Sequence, residues 1–104
     1  MNPLRQLQDW YHSQCNGDWE HSNGIKIDTL DNPGWSLKID LEDTALQEKP
    51  FTEFTYGTGT QGETSGDEWV ICKLEGSKFV AYGGPHKLDE MITIFLEWAA
   101  DNQV

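Results

Sequence analysis

Apolar residues recur with two different periods along this 104-residue chain, and the change of period marks its elements. In "NPLRQLQDWYHSQC", Leu4, Leu7 and Tyr11 fall on one face at helical spacing, Cys15 extends the stripe and Trp10 flanks it. Asn2 can cap this helix, Pro3 suits its first position, and Gly17 in "NGD" is a left-handed stop. "GIKIDTL" and "WSLKIDL" then alternate as strands: Ile25, Ile27 and Thr29 point one way, as do Trp35, Leu37, Ile39 and Leu41. Between them "DNPG" has the makings of a type II turn, with Pro33 fixing φ and Gly34 accepting a positive one. Charge argues for a register. Setting Ile27 against Ile39 opposes Lys26 to Asp40 and Asp28 to Lys38, whereas a slip of two residues either way opposes like charges.

"EDTALQEKP" is a polar connection with room for one helical turn, and "FTEFTY" is a third strand. The glycine-rich "GTGTQGETSGD" is a flexible loop; it lacks the Lys-Ser/Thr ending of a phosphate-binding loop. "EWVICKL" and "KFVAYG" form a second hairpin about a two-residue type II′ turn at Gly76 and Ser77, pairing Glu75 with Lys78 and Leu74 with Phe79. Both faces of that hairpin are largely apolar, which places it centrally. Small Cys72 and Ala81, side by side on one face, leave space for a helix. Leu88, Met91, Ile92, Phe95, Leu96 and Ala99 give the closing helix, started by Pro85. The expected architecture is α+β: an antiparallel sheet of about five strands, in two hairpins plus one strand, flanked by N-terminal and C-terminal helices. Residues 1–104 form a single domain.

Composition alters this picture in two ways. The apolar fraction of 37% is low, but five Trp, four Phe and three Tyr supply large buried surfaces. A net charge of −11, from 18 acidic and 7 basic residues, repels nucleic-acid phosphates and anionic membranes. The acids are dispersed rather than gathered in a tail, which serves solubility and fits steering toward a basic protein. No signal-like segment or membrane-length apolar run occurs, and two separated cysteines suggest neither a disulfide framework nor a zinc knuckle. A reducing cytoplasm is the expected location.

The chemistry-bearing residues do not assemble into a known catalytic motif. His12, His21 and His86 share no metal-ligand spacing with Cys15 or Cys72, no Gly-x-Ser-x-Gly elbow is present, and Cys72 sits in an apolar strand. We therefore expect no catalytic residues, no metal and no cofactor. The stretch "DWEHSNG" (Asp18 to Gly24) is the exception, because Glu20 and His21 stand side by side after Trp19.

At "WEHSNGIKIDTLDNPGW" the chain resembles the immunity protein 53 family of bacterial polymorphic toxin systems. The resemblance begins at Trp10, Tyr11 and Cys15, and runs through "DWEH", "GIKIDTLDNPGW" and "KIDL". It returns at "WVICK" and "KF" and ends in the "KL...IFLEW" helix. Asn23 stands where the family leads us to expect an aromatic, and the "GTGTQGETSGD" loop is longer than usual. The resemblance implies a cytoplasmic antidote that binds one cognate toxin protein and blocks it, the charge suiting a basic toxin such as a nuclease. A small enzyme using Glu20, His21 or Cys72 is the alternative, and a non-toxin interaction module is another. Two roles stay open for the "DWEHSNG" stretch. Trp19, Glu20 and His21 either brace the first hairpin or, with Asp31, Asn32 and Trp35, line a toxin-binding surface. The sequence leaves the oligomeric state open.

Overall fold

The computed structural model describes residues 2–31, 33–57 and 68–100. Helix α1 (Pro3–Gln14) opens it. Asn2 Oδ1 accepts the backbone N–H groups of Leu4 (2.8 Å) and Arg5 (3.4 Å), two of the donors that the first turn leaves unpaired. The "DWEHSNG" stretch forms a second, four-residue helical turn, α2 (Trp19–Ser22), which alternation alone did not suggest. Strands β1 (Ile25–Leu30), β2 (Gly34–Asp40), β3 (Phe54–Tyr56), β4 (Val70–Glu75) and β5 (Lys78–Gly83) follow, then helix α3 (Leu88–Ala100). The sheet order is β1-β2-β5-β4-β3, with every pair antiparallel. The fold is thus the α+β arrangement expected, and the β4–β5 hairpin lies inside the sheet as its two apolar faces required.

That hairpin also has the expected register, with Glu75 against Lys78 and Leu74 against Phe79. Gly76 takes φ +61° while Ser77 does not enter the left-handed region, as a type II′ turn demands.

The first hairpin departs from expectation. Ile25, not Ile27, lies opposite Ile39, so Lys26 faces Lys38 and Asp28 faces Ser36. The strands keep the right faces but slip by two residues. Asp40, the carboxylate that the charge argument assigned to Lys26, is committed elsewhere. It forms an ion pair with Lys78 on β5, and its Oδ2 accepts the Gly24 N–H at 2.9 Å. The Lys26–Lys38 opposition is mild, because it is a hydrogen-bonded pair in which side chains stand further apart. Gly34 is also not the positive-φ residue of a type II turn. It begins β2, and a Cβ there would lie 2.3 Å from the Gly83 carbonyl oxygen, so close strand approach is what requires glycine.

Two other segments differ in detail. Strand β3 takes only three residues of "FTEFTY". The 42–49 connection contains no helix, but successive turns closed by Thr44 N–H to Leu41 O, Gln47 N–H to Thr44 O and Lys49 N–H to Leu46 O. The loop expected at 57–67 lies, beyond Gly57, outside the described residues.

The core lies between one face of the sheet and the two long helices. Leu37, Ile39, Val70, Cys72, Phe79 and Ala81 meet Leu7 of α1 and Met91, Ile92 and Phe95 of α3. Phe95 is fully buried, with ring centroids 5.0 Å from Trp10 and 5.2 Å from Phe79. Helix α1 consequently turns Leu7 and Trp10 inward, while Leu4 (49% exposed) and Tyr11 (37%) face solvent. The expected Leu4-Leu7-Tyr11 stripe is rotated, because Trp10 fills the space beside Phe95.

Candidate functional site

The α2 turn is built by two side chains that reciprocally satisfy its backbone. Asn16 Oδ1 accepts the N–H groups of Asp18 and Trp19, both at 2.9 Å. The Glu20 carboxylate reaches back to accept those of Asn16 (3.0 Å) and Gly17 (2.9 Å). The logic is that of a capping box, an acceptor at each end serving donors the short helix cannot pair itself. Glu20 is held below its usual carboxyl range by its own backbone N–H first, then by those of Asn16 and Gly17 and by the nearby His21. Both of its oxygens are occupied, so it is a poor candidate for proton transfer.

Trp19 fixes the turn to the rest of the protein. Only 4% exposed, it packs against Trp10 (6.2 Å between centroids) and Tyr11 (6.0 Å) of α1. Its Nε1–H donates to the Glu42 carbonyl at 2.8 Å. The segment leaving β2 is thereby tied to the segment entering β1. Asp40 repeats the tie one layer along, donating its N–H to Gly24 O at 3.0 Å.

The exposed surface on either side of this turn differs in sign. On one side Asp18, Glu42 and Asp43 line a cleft of about 470 Å³ with Asn16 and Trp19. Asp43 there adopts φ +61°, a left-handed conformation that Asp tolerates better than most residues. On the other side His21, Lys26, Lys38, Asp40 and Lys78 line a cleft of about 460 Å³. Ser22 and Asn23 border both. Asn23, where an aromatic was expected, is therefore half-exposed between an acidic and a basic surface.

The structure does not bring all six sequence-derived candidates together. Trp19, Glu20 and His21 lie at the start of β1, whereas Asp31 and Trp35 lie at the far end of the hairpin, about 20 Å away along six extended residues. Asn32 lies outside the described residues. Trp35 is half-buried, and its Nε1–H donates to the Pro85 carbonyl at 3.0 Å, holding β2 to the chain between β5 and α3. Asp31 is exposed. Asp18, Glu42 and Asp43 were missed by the sequence reading. Their signal was available: an antiparallel hairpin returns the residues after β2 to those before β1.

The chemistry elsewhere is sparse. Cys72 is fully buried, and its thiol is pushed up to about 12 by desolvation, aided by Glu90; such a thiol is a weak nucleophile near neutral pH. His12 on α1 and His86 in the turn before α3 are both exposed and lie far apart in sequence. Among the described residues no group of three or more His, Cys, Asp or Glu is placed to hold a metal, and no helix is long and apolar enough to cross a membrane. No curated protein and no solved structure matches this chain. The family model for immunity protein 53 matches it from residue 4 to residue 100, and the chain belongs to that family.

Proposed function

We propose that this protein protects a bacterial cytoplasm by binding one cognate polymorphic toxin, without catalysis, and that the toxin is basic, as nucleases commonly are. Membership of the immunity protein 53 family carries the reading. The net charge of −11 supports the basic partner, since opposite fields raise encounter rates and disfavour wrong partners. The surface that suits such a toxin is the acidic cleft of Asp18, Glu42 and Asp43 beside the α2 turn, flanked across that turn by exposed His21; Asp31, at the far end of the hairpin, is a separate contact. Trp19 and Glu20 act as the frame of the cleft, and Trp35 braces β2.

The enzyme alternative has less support, because Glu20 is saturated with backbone donors and Cys72 is buried and protonated. The test is co-expression with the C-terminal domain of a large toxin encoded just upstream. Growth should be restored, and the two proteins should co-elute on a sizing column. Absence of both rescue and a complex would refute immunity for that pair.

A further inference from the structure

Four large apolar side chains are exposed among the described residues: Leu4, Tyr11, Ile27 and Phe54. The first three line one shallow groove of about 340 Å³ between α1 and β1, together with Leu7 and Ile25. The groove opens at the rim of the sheet, because β1 is its terminal strand. Hydrogen-bond phase settles which backbone groups that rim offers. Asp40 donates its N–H to Gly24 O, so Lys26, Asp28 and Leu30 turn theirs toward β2 and Ile25, Ile27 and Thr29 turn theirs outward. This six-residue edge has no proline and no bulge to blunt it. It carries one charge of each sign, Lys26 and Asp28, on the face away from the helices. Lys26 faces Lys38 and has no carboxylate partner among the described residues.

We propose that a second copy of this chain pairs with β1 along this edge, antiparallel about a two-fold axis at Ile27, joining the two five-stranded sheets. A two-fold that keeps the helices of both copies on one side of a continuous sheet opposes residues of like parity only. Centred on Ile27, it sets Lys26 against the second copy's Asp28, and Asp28 against the second copy's Lys26. Ile25 meets Thr29, and the outward N–H and C=O groups of Ile25, Ile27 and Thr29 find partners in the other copy. Centred one residue either way, it opposes Lys26 to Lys26 or Asp28 to Asp28, and like charges directly opposite destabilise.

In the Ile27-centred register the two Lys–Asp pairs fall at non-hydrogen-bonded positions, where side chains approach most closely. The same symmetry brings Leu4 and Tyr11 of both copies to the side where Ile27 meets its counterpart. Charge did not set the β1–β2 register, because a short turn and the bonds of Asp40 fix that pairing. At a free edge no turn constrains the strands, so cross-strand chemistry is what selects the register.

Charge exchange on the full-length protein tests this, read by sedimentation equilibrium with melting temperatures confirming that each variant is folded. The wild type should pass from monomer to dimer on concentration. K26D and D28K should each raise the dimer dissociation constant about tenfold or more, since each converts two attractive pairs into two repulsive ones. The double variant K26D/D28K should dimerise again, and mixing K26D with D28K should give a heterodimer. Hydrogen exchange on the wild type gives a readout free of mutation: the Ile25, Ile27 and Thr29 amides should gain protection on concentration. A protein monomeric at every concentration overturns the proposal, even if a toxin strand takes the edge instead. So does a dimer indifferent to both single variants.

Discussion

Replacing Trp19 separates a frame from an interface anchor, since a buried tryptophan in a surface turn could be either. Its ring is 4% exposed, lies against Trp10 and Tyr11, and donates to the Glu42 carbonyl at 2.8 Å. Trp19→Ala removes all of this, and large-to-small changes of buried aromatics cost about 3–5 kcal/mol. That is a large part of the roughly 5–15 kcal/mol a small domain has. Trp19→Phe keeps most of the ring and loses the hydrogen bond, a net cost of about 1 kcal/mol; the melting temperature should fall by about 4–8 °C. Urea titration of both variants measures the stability difference. Toxin affinity, measured at a temperature where Trp19→Phe is fully folded, should match that of the wild type. An unchanged urea midpoint in Trp19→Ala together with lost affinity would refute the reasoning and make Trp19 an interface anchor.

The neighbouring residues should divide the same way. Glu20→Ala should lower the melting temperature with toxin affinity kept in the folded fraction, and His21→Ala should weaken binding at unchanged stability; calorimetry and titration on each variant check both. Because folding depresses the Glu20 carboxyl below 4.5, its contribution is present above that pH and lost as pH falls through the folded value; comparing wild type and Glu20→Gln in acid melts reveals it. Cys72 works in the opposite sense: folding raises its thiol from 9.0 to about 12, so stability should fall as pH rises through that window. The fall should be smaller in Cys72→Ala, and the native thiol should react slowly with a disulfide reagent. The association rate with toxin should drop steeply with added salt while dissociation changes little; a flat rate would leave the charge as a solubility feature.

The parts of the fold legible in the sequence are those where one local device decides. The β4–β5 register follows from Gly76 and Ser77, since a two-residue turn leaves no freedom in the pairing. The β1–β2 register was misread because the deciding contacts are not local. Asp40 bonds to Lys78, a strand distant in sequence, and to Gly24 at the base of the hairpin. The inward face of α1 was misread for a related reason. Leu4, Leu7 and Tyr11 satisfy helical periodicity better than Leu7 and Trp10 do, yet only Phe95 on the far helix determines which face fits.

The candidate site was half legible for a geometrical reason. A β-hairpin has two ends, and residues near its turn cannot share a surface patch with residues at its base, however close they look in a family motif. "DWEH" belongs to the base and "LDNPGW" to the turn, so a continuous motif is split by about 20 Å of strand. What joins "DWEH" instead is the segment after β2, through the Trp19–Glu42 and Gly24–Asp40 hydrogen bonds. That connection carries Glu42 and Asp43 into the acidic cleft and leaves Lys26 and Lys38 on the opposite side of the turn. Under the proposed function, a basic toxin approaching the acidic side meets surface held by Trp19 and Glu20, and these two should govern affinity only through the stability of that frame.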